Sequence, residues 1–240
     1  MDTLIKGIER FQAGVYKDKK RLFEQLAFGQ KPHTLLITCS DSRIQPDVIM
    51  GTEPGELFIL RNIGNIVPPH GWGQNEAEAV IEYATVALGV RDIVVCGHSH
   101  CGAMKALLDP HHLEELPVVA NWLTHAQETK SRILRKYPHL QGDELLDAAI
   151  RENVLVQVER VESLPCVAPR RANGGLKVHG WVYRTALSEI RGRSRGQAEQ
   201  PVGGLLNFRL SHPRPQNRPN LLAQERTPPR TTLVRVARAA

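Results

Sequence analysis

Apolar residues recur along this chain with two different periods. Leu4, Ile5, Ile8, Phe11 and Val15, followed by Leu22, Phe23 and Leu26, repeat at helical spacing and predict two amphipathic helices. Leu35-Leu36-Ile37-Thr38 and Ile93-Val94-Val95-Cys96 are instead short unbroken apolar runs, the pattern of strands that a parallel sheet buries on both faces. Residues 57–60 predict a further strand. Residues 176–183 alternate, which predicts a strand nearer an edge. Asn75 and Glu78 offer a cap and its reciprocal partner for a helix through Ile81, Ala84 and Leu88 that Gly89 ends. Further helices are predicted over residues 103–108, 118–136 and 144–161. Strands alternating with helices imply an α/β fold, a central and mostly parallel β-sheet flanked by helices.

Candidate chemistry collects where two of these strands end. The run Ile93 to Cys96 is broken by Gly97, and His98 and Cys101 follow, three residues apart, in the turn toward the next helix. The run ending at Thr38 leads into Cys39-Ser40-Asp41-Ser42-Arg43. Parallel strands present their carboxyl ends on one edge of a sheet, where ligand sites gather, so Cys39, His98 and Cys101 are able to converge. Three N/S donors with a fourth position open is the pattern of catalytic zinc. A cysteine at a strand end also reads as a small buried hydrophobe, and from chemistry alone both readings stay open. Cys96 reads as a core thiol, and Cys166 has no partner at ligand spacing.

Composition narrows the class. A chain of 240 residues, 41% hydrophobic, holds enough apolar material for one large domain or two. Four cysteines without a framework suggest a reducing compartment. Residues 1–30 have charges scattered through them and no uninterrupted apolar core, and no run approaches the ~20 apolar residues of a membrane span, so the expected location is cytoplasmic. The net charge of +6 lies wholly in the last quarter: residues 184–240 carry 11 Arg, no Lys and three acidic residues. That segment, rich in Pro, Arg, Gly and Gln and lacking periodicity, is expected to be a disordered extension. Clustered Arg also suits docking to an acidic partner, while nothing aromatic interleaves it to favour nucleic acid.

Several blocks, in order, carry a resemblance: Cys39-Ser-Asp41-Ser-Arg43, Pro54-Gly-Glu-Leu-Phe58, Arg61-Asn62-Ile-Gly-Asn65, Glu82-Tyr83-Ala84 and Gly97-His98-Ser-His-Cys101-Gly102, with a late Glu152-Asn153-Val154 and His179-Gly180-Trp181. Together they resemble a β-class carbonic anhydrase, and among those the carboxysomal type of cyanobacteria. The likeness implies a β-carbonic anhydrase domain over residues 1–183, N-terminal helices included, followed by the Pro/Arg-rich tail of residues 184–240. It also implies one zinc ion per subunit on Cys39, His98 and Cys101. The reaction implied is reversible hydration of CO2 to bicarbonate, since zinc lowers the pKa of a bound water to about 7 and makes a hydroxide nucleophile available.

Two thiolates donate more charge to the metal than imidazoles would, so a neighbour that stabilises hydroxide matters. Asp41 suits that role as an acceptor, with Arg43 holding it bidentately. By the resemblance, Asp41 also swings onto the metal to close the site, Phe58, Ile63 and Tyr83 line the CO2 pocket, and Gly102 offers a backbone N–H to the reacting oxygens. Some members carry a Trp three residues before the first Cys ligand as part of a bicarbonate-binding regulatory site; Leu36 stands there in this chain.

Family sites sit at subunit junctions, which implies a homodimer or a multiple of dimers, and the carboxysomal likeness implies a carboxysome shell or scaffold protein as partner. No histidine stands out as the proton shuttle: His33, His70, His100, His111 and His112 read as surface residues. The likeness ends after Tyr183, where members usually add an acidic turn and one more strand. Here Arg184-Thr-Ala-Leu-Ser-Glu follows, which puts that last edge strand in doubt. A second reading is a zinc-stapled scaffold or docking protein with little activity.

Overall fold

The computed structural model describes residues 1–73, 75–193 and 200–201. Three short helices lead: α1 (Asp2–Ala13), α2 (Val15–Asp18) and α3 (Lys20–Leu26). Then come β1 (Thr34–Cys39), α4 (Pro46–Met50), β2 (Leu57–Asn62), α5 (Glu76–Glu82), β3 (Asp92–His98) and α6 (Gly102–Leu108). A 3-10 turn at Pro110–Leu113 precedes α7 (Pro117–Leu123), and a second at Thr124–Ala126 precedes α8 (Gln127–Lys136). The long α9 (Gly142–Ser163), α10 (Ala168–Ala172), β4 (Lys177–Arg184), β5 (Glu189–Arg193) and β6 (Gln200–Pro201) complete the described chain. No helix among the described residues is long and apolar enough to cross a membrane.

The strands form one sheet in the order β2-β1-β3-β4-β5-β6. The first four run parallel, and β5 and β6 add antiparallel at the far side. Because side chains alternate along a strand, β1 and β3 feed two cores at once. Leu36, Val94 and Cys96 face one core, with Met104, Leu107, Ile133, Ala149 and Ile150. Leu35, Ile37, Ile93 and Val95 face the other, with Ile81, Ala84, Val154 and Val161. Each fully buried Leu or Ile contributes about 1.5–3 kcal/mol relative to leaving it in water. The unbroken apolar runs of the central strands follow directly from burial on both faces.

Several expectations need correction. The alternating strand β4, expected nearer an edge, has β5 and β6 outside it: β5 pairs with it from Gly180↔Arg193 to Arg184↔Glu189, so the sheet runs on past Tyr183 and the doubtful last strand is formed. Its Arg-rich sequence hides a strand that backbone hydrogen bonds hold and that packs Ile190 against the core. The predicted helix over residues 118–136 is two helices, parted by the 3-10 turn where the Thr124 hydroxyl donates to the Asn121 carbonyl, 2.6 Å. The first predicted pair of helices is a trio, broken at Gly14 and Lys19. Asn75 caps α5 as expected, its Oδ1 accepting from Glu78 N at 2.8 Å.

That helix then widens into a π-turn, Tyr83–Ala87, in which the Thr85 hydroxyl bonds the Ile81 carbonyl, 2.8 Å, and Arg170 bonds the Thr85 carbonyl. The expected disordered tail falls largely on residues 194–199 and 202–240, which lie outside the described residues, as does the side chain of His112.

Candidate metal centre

Register sets where the donors meet. Cys39 ends β1 and His98 ends its parallel neighbour β3, while Cys101 caps the start of α6 just beyond. The Cys39, His98 and Cys101 donor atoms lie within 4.8 Å of one another, all three residues buried. Strand β3 comes close enough to α9 that a Cβ on Gly97 would stand 2.8 Å from Val154 Cγ2, so only glycine lets the strand seat there.

The chemistry of this donor set fits a metal ion. His98 Nδ1 bonds the Ser99 carbonyl at 3.0 Å, which fixes the tautomer with the proton on Nδ1. That leaves Nε2 bare, and it is fully buried without a hydrogen-bond partner. An unpaired buried acceptor costs free energy that a metal bond removes. The two thiols lean on each other. The hydrogen bond from Cys101 holds Cys39 down to about 4 against the opposing effect of burial, and the same bond pushes Cys101 well above the usual thiol range.

A divalent ion in place of the shared proton would hold both sulfurs as thiolates. Backbone N–H groups of Gly64 and Asp41 bond Cys39 Sγ, and those of Ala103 and Met104 bond Cys101 Sγ, so each sulfur has donors that spread its charge. By contrast the Cys96 thiol, pushed up to about 12 by burial, is inert core, and Cys166 stands apart from the cluster.

Asp41 stands at the mouth. Its carboxylate takes two parallel bonds from Arg43, Nε to Oδ1 at 2.9 Å and Nη2 to Oδ2 at 2.7 Å, with the Arg43 N–H adding a third at 3.0 Å. Arg43 holds the Asp41 carboxyl well below the usual carboxylate range. Oδ2 lies 3.8 Å from His98 Nε2, close to the donors but engaged by the guanidinium. Arg43 also reaches the His100 carbonyl, 3.2 Å, which a left-handed backbone at His100, φ 53°, turns toward it.

The predicted pocket residues divide. Ile63 follows the end of β2 beside Ser40 and Asn62, and Gly102 opens α6 with free space around its Cα. Phe58 and Tyr83 meet each other, ring centroids 5.9 Å apart, yet the chain does not bring them to its own Cys39. Cys39 pairs with Asn62 and Leu35 with Phe58, so Phe58 sits four strand positions back, about 13 Å along the sheet. Both belong to the opposite end of the sheet, and Tyr83 is 52% exposed.

Two residues without an assigned role turn out to shape the site. Arg61 donates from Nε to the Cys39 carbonyl, 3.1 Å, and from its guanidinium to the Asp41 carbonyl, 2.8 Å, bracing the loop that carries both. Gly64, at φ +80°, lies so near α6 that a Cβ would stand 2.9 Å from Ala103 Cβ. Both belong to the block Arg61-Asn62-Ile-Gly-Asn65, whose Arg and glycine were the available signal.

A family model described as carbonic anhydrase matches residues 34–190. The chain is 45% identical over 191 residues to a carbonic anhydrase of Synechocystis sp., spanning 79% of this chain and 70% of that protein. To a carbonic anhydrase of Synechococcus elongatus it is 44% identical over 200 residues, 83% of this chain and 74% of that one. Among solved structures, the β-carbonic anhydrase CcaA superposes with a TM-score of 0.78 at 44% identity, covering 80% of this chain and 86% of the other. A tetrameric β-carbonic anhydrase of Sordaria macrospora superposes with 0.72 at 29% identity, covering 83% and 100%.

Proposed function

The chain belongs to the carbonic anhydrase family, in its β class and of cyanobacterial type, and from that premise we propose that Cys39, His98 and Cys101 hold one zinc ion per subunit. The enzyme catalyses the reversible hydration of CO2. The observation that carries the zinc reading is the buried, unpartnered His98 Nε2 with the Cys39 and Cys101 sulfurs, all three donor atoms within 4.8 Å of one another. Zinc supplies, when bound, a water acidified toward about pH 7 that attacks CO2.

The protein's own groups do the rest. Asp41, ionised by Arg43, is an acceptor only: it takes a hydrogen bond from the attacking water and aims that water's lone pair at carbon. Arg43 engages both carboxylate oxygens of Asp41, and were it to let go, Asp41 could turn toward the three donors and would close a zinc site there. Arg61 fixes the loop on which Asp41 rides. By the likeness, the Gly102 N–H at the start of α6 would serve the reacting oxygens, and Ile63 would give the neutral substrate an apolar wall.

Phe58 and Tyr83 serve the site of a neighbouring subunit rather than their own, in a homodimer or a multiple of dimers. Their distance from Cys39 supports this, as does α1, which has no buried residue and leaves Leu4, Ile5 and Ile8 more than half exposed. Cytoplasmic residence, with docking in a carboxysome, belongs to the same proposal and rests on the sequence blocks that resemble the carboxysomal type.

Metal analysis with stopped-flow CO2 hydration tests the reading. One zinc per chain is expected, with activity lost on chelation and regained on adding zinc. Zinc-free protein that hydrates CO2 at the full rate would overturn it.

A further inference from the structure

The segment from Asn62 to Val67 walls one side of the metal centre, and groups outside it hold its peptides one by one. The Asn62 side chain bonds Ile66 at both N–H and carbonyl, 2.8 Å each. Trp122, on α7, donates its indole Nε1–H to the Ile63 carbonyl at 2.8 Å. Asn153, on α9 and 1% exposed, donates from Nδ2 to the Gly64 carbonyl at 2.9 Å, across 89 residues of sequence. The Asn153 amide is itself oriented, since Oδ1 accepts from Gln157 Nε2 at 3.0 Å and from Thr129 Oγ1 at 3.3 Å. Gln157 in turn accepts from Val67 N–H, 2.9 Å, with its own Oε1.

Peptide planarity gives these bonds a consequence at the metal. The Ile63 carbonyl and the Gly64 N–H belong to one rigid, trans peptide and point in opposite directions. Pinning the oxygen on Trp122 therefore aims the N–H at the other side, where Cys39 Sγ lies and accepts it. Asn153 fixes the next peptide, so the plane cannot roll about Gly64, a residue whose lack of a side chain leaves it otherwise free to do so.

We propose that Trp122 is a positioning residue of the metal centre: through the Ile63–Gly64 peptide it holds an N–H on the Cys39 sulfur, with Asn153 locking the adjoining peptide. An N–H bond to a metal thiolate draws charge from sulfur, which orients the ligand and leaves the metal the stronger Lewis acid. This inference rests on the zinc reading above.

The test uses full-length Trp122→Phe, which keeps a ring against His125 (centroids 5.3 Å apart) and deletes only the donor. Trp72→Phe is the control, because Trp72 packs on the same histidine at 5.3 Å with no bond to the segment. Zinc affinity by chelator competition and the visible spectrum of the cobalt-substituted protein are the readouts. Trp122→Phe is expected to weaken zinc binding roughly 10-fold, the lower end for groups that orient ligands. It should also move the sulfur-to-cobalt charge-transfer band to longer wavelength, with Trp72→Phe matching wild type.

Asn153→Asp, which sets a carboxylate oxygen against the Gly64 carbonyl, should move both readouts further in the same direction. If Trp122→Phe and Trp72→Phe bind zinc alike and give the wild-type cobalt band, the inference is overturned while the zinc reading stands. If wild type takes up no zinc, the zinc reading itself has failed.

Discussion

Asp41 is the residue whose protonation matters most to the proposed reaction. Arg43 holds its carboxyl well below the usual range, so it stays ionised at every pH where a water acidified toward neutrality is useful. The sign is that of a depressed acid: whatever Asp41 contributes as an anion is complete above the ordinary carboxylate value near 4 and is lost only below it. Asp41→Asn is therefore expected to lower CO2 hydration about 10- to 100-fold with zinc retained, by the same factor at each pH from 6.5 to 9. A deficit that widened or vanished across that range would show that Asp41 titrates within it. That the Cys39, His98 and Cys101 side chains converge was legible in the sequence because strand ends fix where such side chains emerge. Arg61 and Gly64 were not, since what they offer is a grip on particular carbonyls and a particular N–H. Those directions exist only once the loop has its backbone angles.

Helix α9 ties the centre together at the scale of elements. From one side Ile150 and Val154 press on Gly97, directly before His98; within the same turn, Asn153 grips Gly64. Gly97→Ala forces its new methyl against Val154 Cγ2, and overpacking of this kind costs about 1–3 kcal/mol. In a chain of this length that lowers Tm by roughly 2–12 °C. Adding Val154→Ala should return most of the loss, because neighbours in contact do not behave additively. A double variant as unstable as the sum of its parts would mean the two do not clash. Long apolar runs made β1 and β3 readable, and the cap at Asn75 made the start of α5 readable. Strand β5 escaped because its alternation is written in Arg and Glu around Ile190, and a strand held by backbone bonds to β4 needs few apolar residues to declare itself. The 3-10 break between α7 and α8 escaped because a hydroxyl turned on a carbonyl leaves no gap in the hydrophobic period.

In the proposed assembly the whole molecule is more than one chain. Leu4, Ile5 and Ile8 on α1 face solvent, and contiguous exposed apolar residues mark an interaction surface. Replacing Ile8 and Phe11 together by Glu is expected to leave the circular dichroism spectrum intact while reducing the mass in sedimentation from at least two chains to one. On the proposed assembly, in which Phe58 and Tyr83 serve a neighbouring site, CO2 hydration should fall with it. An unchanged mass would show that α1 is not the contact. Sheet order carries a consequence of a different kind. All three donors have been synthesised by residue 101, yet the flank of β3 that pairs with β4 stays bare until residues 177–184 leave the ribosome. During that interval a half-built sheet offers its backbone to any other half-built sheet nearby.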